Sequence, residues 1–271
     1  MISDQMLKRE KTMSIRRVLI VAALVAGVAG TAGAEDFWGH KLVDQPTQFI
    51  FGYGSLINSA SRNSTADKPV PAIPVRVSAA FGFIRTWNDR SLSGFTALGL
   101  RRPGPGEDAM TINGVLYPAE GNDLSAFDAR EKGYVRVEVP RQDVESISWE
   151  GLPFQGKIWV YVPDRPGREP GVDLPPPDVE YPLLQSYIDV VVEGGLEYGP
   201  DFAREIIETT KDWSKYWLND RQLARRPNTH YAAVDELLSA DAPHFADRQF
   251  PEDYVAKMLL LRSAPAPAAP N

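Results

Sequence analysis

The order of its hydrophobic periodicities constrains this chain more than any other feature. Between residues 48 and 162 apolar residues alternate with polar ones or fall in short blocks, and beyond residue 183 they recur at intervals of three and four. The first pattern is that of strands and the second that of amphipathic helices. A proline-rich stretch, 163–182, separates them and reads as a surface crossing. Strands first and helices last imply an α+β fold, with helices laid against a sheet or barrel.

The strand expectations are Gln48–Phe51, a single long strand from Val75 to Arg85, Phe95–Leu100, Thr111–Tyr117, Tyr134–Val139 with one wet face, and Lys157–Val162. A short helix is expected at Asp123–Glu131, with Asp123 as N-cap and Gly133 just past its end. Leu183, Leu184, Tyr187, Ile188, Val191 and Val192 share a helix face that stops at Gly194-Gly195. Further helices are expected at Asp201–Thr210, Asp212–Leu218, Tyr231–Ser239 and Asp253–Arg262, and Trp213 and Trp217 read as packing residues on one of them. Residues 35–46 read as an irregular lead-in, 47–262 as one domain with its helical region at 183–262, and 263–271 as a frayed tail.

The N-terminus reads as an export signal. Arg16-Arg17 precede an apolar run from Val18 to about Ala32, and Ala32-Gly33-Ala34 supplies small residues for cleavage near Ala34. Residues 1–34 are thus expected to be a cleaved leader, with Met13 an alternative start. The run falls short of the roughly 20 residues a membrane span needs, so no stable anchor is expected after cleavage, and a periplasmic or secreted location follows. The chain has no cysteine, which excludes lipoprotein attachment, disulfides, thiol catalysis and thiolate metal sites together. Its formal net charge of −7 opposes a nucleic-acid partner.

The remaining chemistry is narrow. His40, His230 and His244 lack zinc-ligand spacing, so no metal is expected. There is no Gly-x-Ser-x-Gly elbow and no phosphate loop, and Ile57 stands where a dinucleotide loop needs its third glycine. No cofactor is expected. What stands out is Gly52-Tyr53-Gly54-Ser55-Leu56 directly after a strand, a tight turn whose backbone N–H groups could cradle an anion or an oxyanion. Alone, such a loop is more often a plain turn. Glu131 alone reads as a solvated acid at a helix end, or one paired with Arg130 or Lys132.

Taken together, these segments resemble the γ-glutamylcyclotransferase family, particularly its ChaC-type branch. Phe51-Gly-Tyr-Gly-Ser-Leu-Ile57 is similar to the family's signature loop, and Gly82-Phe-Ile-Arg85 to its Gly-aromatic-x-Arg strand. Ile112-Asn-Gly-Val-Leu-Tyr117 is similar to a further strand, and Phe127-Asp-Ala-Arg-Glu-Lys-Gly-Tyr134 to its catalytic segment. The resemblance spans about residues 48–162, with a fainter echo at Leu183–Gly194. It implies a mixed β-barrel core at about 48–163 with flanking helices and a C-terminal helical extension. It also implies Glu131 as catalytic carboxylate, Gly52, Tyr53, Gly54, Ser55 and Leu56 as substrate-binding loop, and Arg85 and Tyr161 as further substrate contacts, while Arg85 read on its own pairs with an internal acid in preference to substrate. The implied reaction converts a small γ-glutamyl compound to 5-oxoproline and a free amine or amino acid. A non-catalytic γ-glutamyl-ligand or envelope-binding protein on the same fold is the alternative. Trp87–Phe95 and the Trp213–Arg221 region depart from the family pattern, which leaves the substrate open, and no motif bears on oligomeric state.

Overall fold

A computed structural model describes residues 37–224 and 230–255, all within the unit Asp36–Asn271. The expected leader, the tail from 263 and the expected helix beyond 255 lie outside the described residues; residues 251–255 are helical.

The architecture grows from β1, Gln48–Gly52. Its Phe-Ile-Phe run is buried throughout, as a strand covered on both faces requires. It pairs antiparallel with β5 (Ile112–Pro118) on one side and parallel with β8 (Lys157–Pro163) on the other. Beyond β5 lie β2 (Ile73–Val77) and then β7 (Val144–Ser146), and beyond β8 lies β6 (Tyr134–Glu138). The six-stranded mixed sheet has the order β6-β8-β1-β5-β2-β7. Two smaller pairs flank it: the hairpin of β3 (Ile84–Arg90) with β4 (Thr96–Arg101), and β9 (Leu183–Leu184) with β10 (Trp217–Leu218). No described strand pairing joins the two ends of the main sheet. The α+β expectation holds.

The single strand expected from Val75 to Arg85 is two strands. A 3-10 turn at Ala79–Phe81 and Gly82 at φ 80° break it, a conformation glycine adopts without cost. β2 then joins the main sheet while β3 leaves for the hairpin. Helix α2 (Asn122–Arg130) starts one residue before the expected N-cap. Asp123 lies inside its first turn, ion-paired with Lys68 at 2.6 Å, and Glu131 is the C-cap.

One expected helix is absent and one helix was not expected, each for a physical reason. Asp212–Leu218 is not helical. Asp212 takes φ 63°, and the preceding Lys211 is drawn alongside β3, donating its N–H to the Arg85 carbonyl at 2.9 Å and accepting from Trp87 N–H at 3.3 Å. Trp217 falls on β10, and Trp213 stacks on it with ring centroids 5.2 Å apart. Helix α1 (Ser59–Ala66) was not expected, because its sequence has no apolar stripe and Arg62 is its only buried residue. Its start is set by Asn58, whose side chain accepts from Ser61 N–H at 3.0 Å.

Helix α3 (Gln185–Leu196) runs through Gly194-Gly195 instead of stopping there. These glycines serve close approach. A Cβ on Gly194 would lie 2.5 Å from the Asn58 nitrogen and 2.9 Å from the Ile57 carbonyl carbon; one on Gly195 would lie 2.9 Å from Cα of Ala203 in α4 (Pro200–Glu208). Helices α5 (Arg221–Ala224) and α6 (Tyr231–Asp241) complete this layer. Gly194→Ala is expected to destabilise the protein by about 1–3 kcal/mol through backbone collision, outweighing the roughly 1 kcal/mol gain in helix propensity. Denaturant unfolding measures this, and a neutral or stabilising result would refute the close-approach account.

Candidate active site

β1 ends at Gly52, and the chain turns at once. Gly54 adopts φ −126°, ψ −133°, and Ser55–Ile57 form one 3-10 turn closed by Ile57 N–H on the Gly54 carbonyl at 2.9 Å. The N–H groups of Ser55 and Leu56 open that turn, where intrahelical acceptors are lacking. From behind, Arg62 holds the turn by donating to the Leu56 and Ile57 carbonyls at 3.0 and 2.9 Å.

Glu131 reaches the same place from α2, 75 residues after Leu56. The loop residues Gly52, Tyr53, Gly54, Ser55 and Leu56 line one cavity with Glu131, and Tyr161 contributes from β8. The cavity, counted with its mouth, holds about 330 Å³ of free space. Arg130 physically ties the two segments together: its Nε is 3.1 Å from Glu131 Oε1, and an Nη donates to Ser55 Oγ at 3.0 Å.

Arg85 does not join them. Its side chain is 0% exposed, and internal oxygens take its N–H groups: Thr210 Oγ1 at 3.0 Å, Asn113 O and Oδ1 both at 2.8 Å, and Ile206 O at 3.1 Å. The expected substrate contact is therefore replaced by a supporting one, because an Nη reaches the Tyr53 carbonyl at 3.4 Å and braces the loop from inside.

Electrostatically, the site keeps protons. Burial pushes the Glu131 carboxyl above its ordinary value; Arg130 opposes this and Asp89 adds to it. Glu131 is both of the things its sequence position allowed, a helix-end acid and an Arg130 partner, but its side chain is only 16% exposed, so desolvation wins. Four tyrosines surround it: Tyr53, Tyr134, Tyr161 and Tyr187. Burial raises all four above the usual phenol value, so each stays a neutral donor. Tyr53 donates to the Tyr161 carbonyl and Tyr134 to the Leu98 carbonyl, each at 2.8 Å, and Tyr161 to Asp128 Oδ1 at 2.9 Å. Tyr187 is pushed up to about 12 and hydrogen-bonds Ser55.

Asp89 escaped the sequence reading. The β3–β4 register shifts between Trp87 and Asp89, so Asn88 is the bulged residue, and beyond it Asp89 meets the Tyr134 hydroxyl. Burial raises its carboxyl from 3.8 to about 6. The available signal was an acid within a strand run, a residue type depleted there. Among the described residues no group of three or more metal-ligating side chains forms, and no helix is long and apolar enough to cross a membrane.

No family model matches the chain, and no curated protein matches it. Solved structures do. A structure named gamma-glutamyl cyclotransferase is 14% identical, covers 70% of this chain and 98% of its own, and superposes with a TM-score of 0.42. A yeast gamma-glutamyl cyclotransferase described as specific to glutathione is 13% identical, over 71% of this chain and 97% of its own, at 0.28. The Arabidopsis thaliana protein At3g28950.1 is 20% identical, over 45% of this chain and 66% of its own, at 0.34. Likenesses this weak say nothing of the reaction, which has to be read from the cavity's own residues.

The raised Asp89 carboxyl has a definite consequence for stability. Its folded value lies above its unfolded one, so its favourable contribution is complete below pH 3.8 and is lost as pH rises through about 6. Relative to wild type, Asp89→Asn should gain about 1–3 kcal/mol of stability between pH 4 and pH 7. Unfolding at both pH values checks this; a difference independent of pH would contradict it.

Proposed function

We propose that this protein is a cyclotransferase that converts a γ-glutamyl compound to 5-oxoproline by internal aminolysis. One observation carries the reading. The two sequence segments that resemble γ-glutamylcyclotransferases, 51–57 and 127–134, meet in a single cavity lined by both the loop and a buried carboxylate of raised proton affinity.

The chemistry asks for little more. Glu131 takes a proton from the substrate's α-ammonium, and the freed amine attacks the γ-carbonyl carbon of the same molecule. The new C–N bond closes a five-membered ring and leaves an oxyanion. As the carbonyl re-forms, the original amide C–N bond breaks, Glu131 returns its proton to the departing nitrogen, and the new ring nitrogen sheds its second proton to water. Atoms and protons balance with no further reagent. Holding the substrate folded can supply about 7 kcal/mol, because well-oriented intramolecular reactions reach effective molarities of about 10⁵ M or more. The proton transfers are worth a further ~10²–10⁴-fold. Loop N–H groups, with the Tyr187 hydroxyl beside Ser55, are suited to the γ-carbonyl oxygen and the substrate α-carboxylate. The proposed setting is extracytoplasmic, which N-terminal sequencing of the exported form would test.

Purified protein should release 5-oxoproline from at least one member of a γ-glutamyl panel followed by mass spectrometry. Glu131→Gln should lower that rate by about 10²–10⁴-fold while leaving thermal unfolding intact. Unchanged turnover in this variant would overturn the reading. The acid limb of kcat/KM should lie above the ordinary glutamate value. It should move to lower pH in Asp89→Asn, where a like charge is gone, and to higher pH in Arg130→Gln, where the opposing cation is gone. Limbs that stay put would separate Glu131 from the titrating group.

A further inference from the structure

Next to the reaction cavity lies an open groove lined by Asn58, Ser61, Phe95, Leu184, Tyr187 and Val190. It adjoins the cavity, with Tyr187 lining both. Phe95 packs on the Tyr187 ring with centroids 5.3 Å apart, which makes that wall aromatic. Resting on the cyclotransferase reading, we infer that this groove receives the departing amine, and that the substrate class is a γ-glutamyl amide whose leaving group is an uncharged apolar or aromatic amine.

Two observations select that class. First, the groove holds no cationic or carboxylate side chain; Ala60 and Ser186 complete its lining. A leaving group with its own carboxylate, as in any γ-glutamyl amino acid or peptide, would be desolvated there with no counter-charge. Second, a cation that touches this lining is already committed. Arg130 touches the groove through Ser61, but one Nη donates to Ser61 O and Thr65 Oγ1, the other to Ser55 Oγ and Ser61 Oγ, and Nε to Glu131. A guanidinium has five N–H groups, and these partners account for all of them. Capturing a leaving-group carboxylate would mean giving up the contacts that hold Ser55 and Glu131 together. An apolar amine asks nothing of Arg130 and buries its surface against Phe95, Leu184 and Val190.

The test compares three substrates of equal γ-glutamyl end: the methylamide, the benzylamide and γ-glutamylglycine, each assayed for 5-oxoproline with wild type and with Val190→Lys. Val190 is half-buried on α3, and a lysine there places a cation in the groove without disturbing Glu131. The benzylamide should exceed γ-glutamylglycine in kcat/KM by about tenfold or more, within the range an apolar pocket can discriminate. Val190→Lys should cut that ratio by about tenfold or more. Turnover of the methylamide with no benzylamide preference, or with γ-glutamylglycine favoured, would overturn this inference and leave the cyclotransferase reading standing. Absence of 5-oxoproline from all three would overturn both. If Val190→Lys does not fold, the wild-type ratio decides alone.

Discussion

The structure is organised around a buried charge. Taking a guanidinium fully out of water costs several kcal/mol even after relaxation, and the fold recovers that only if every donor finds an oxygen. Arg85 meets this condition by drawing in three separate elements: Asn113 on β5, the Tyr53 carbonyl at the end of β1, and the carbonyl and hydroxyls at the C-terminal end of α4. Burial pulls it down to about 9, with Glu205 opposing, so it stays cationic at neutral pH. The negative end of the α4 dipole suits a cation there. The loop, the sheet and the helical layer are thus fixed to one another through a single side chain, and the loop inherits its position from that arrangement.

The same economy runs through the cavity. A carboxyl can shuttle protons near neutrality only if its charged form is disfavoured, yet it must still ionise. For Glu131 desolvation supplies the first requirement and Arg130 the second, with Asp89 tilting the balance further toward the proton. A helix C-cap position contributes in the same direction, but at roughly 0.3–1 kcal/mol it is the smaller effect. The surrounding phenols are raised rather than lowered, so they act as dipoles and leave Glu131 and Asp89 as the titrating pair. Loop, acid and anchor are joined by Arg130, whose five contacts make it a frame for the site.

Much of this was legible in the sequence, and the failures have a common form. β1, β5, β6 and β8 were found within a residue or two because their apolar patterns are local. The loop was visible as a glycine turn after a strand, whereas its role and that of Glu131 came only from the family resemblance. Of the two roles open to Arg85, the internal one holds, but with neutral oxygens in place of an acid, and those come from Asn113, Ile206, Thr209 and Thr210, far along the chain. Asp89 was missed because its environment depends on a bulge and on Tyr134. Gly194-Gly195 was read as a stop by local propensity, whereas the requirement it meets is contact with Ile57 and Asn58. Asp212–Leu218 kept its spacing of tryptophans but lost its helix to hydrogen bonds with β3. In each case a tertiary contact overrode a local preference.

Helix α3 shows why that override matters for function. Gly194 near its C-terminal end presses on Ile57 and Asn58, next to the loop, while its N-terminal half carries Tyr187, shared by cavity and groove, and Val190 in the groove. One rigid element therefore sets both the position of the loop and the shape of the adjoining wall. Glu131 and Arg130 come from a different element, α2. On the proposed reading, chemistry and recognition of the departing group are carried on separate supports that meet at Ser55, which accepts from Arg130 on one side and bonds Tyr187 on the other. If that reading holds, substitutions along the groove-facing side of α3 alter which group leaves the cavity while Glu131 on α2 keeps its surroundings.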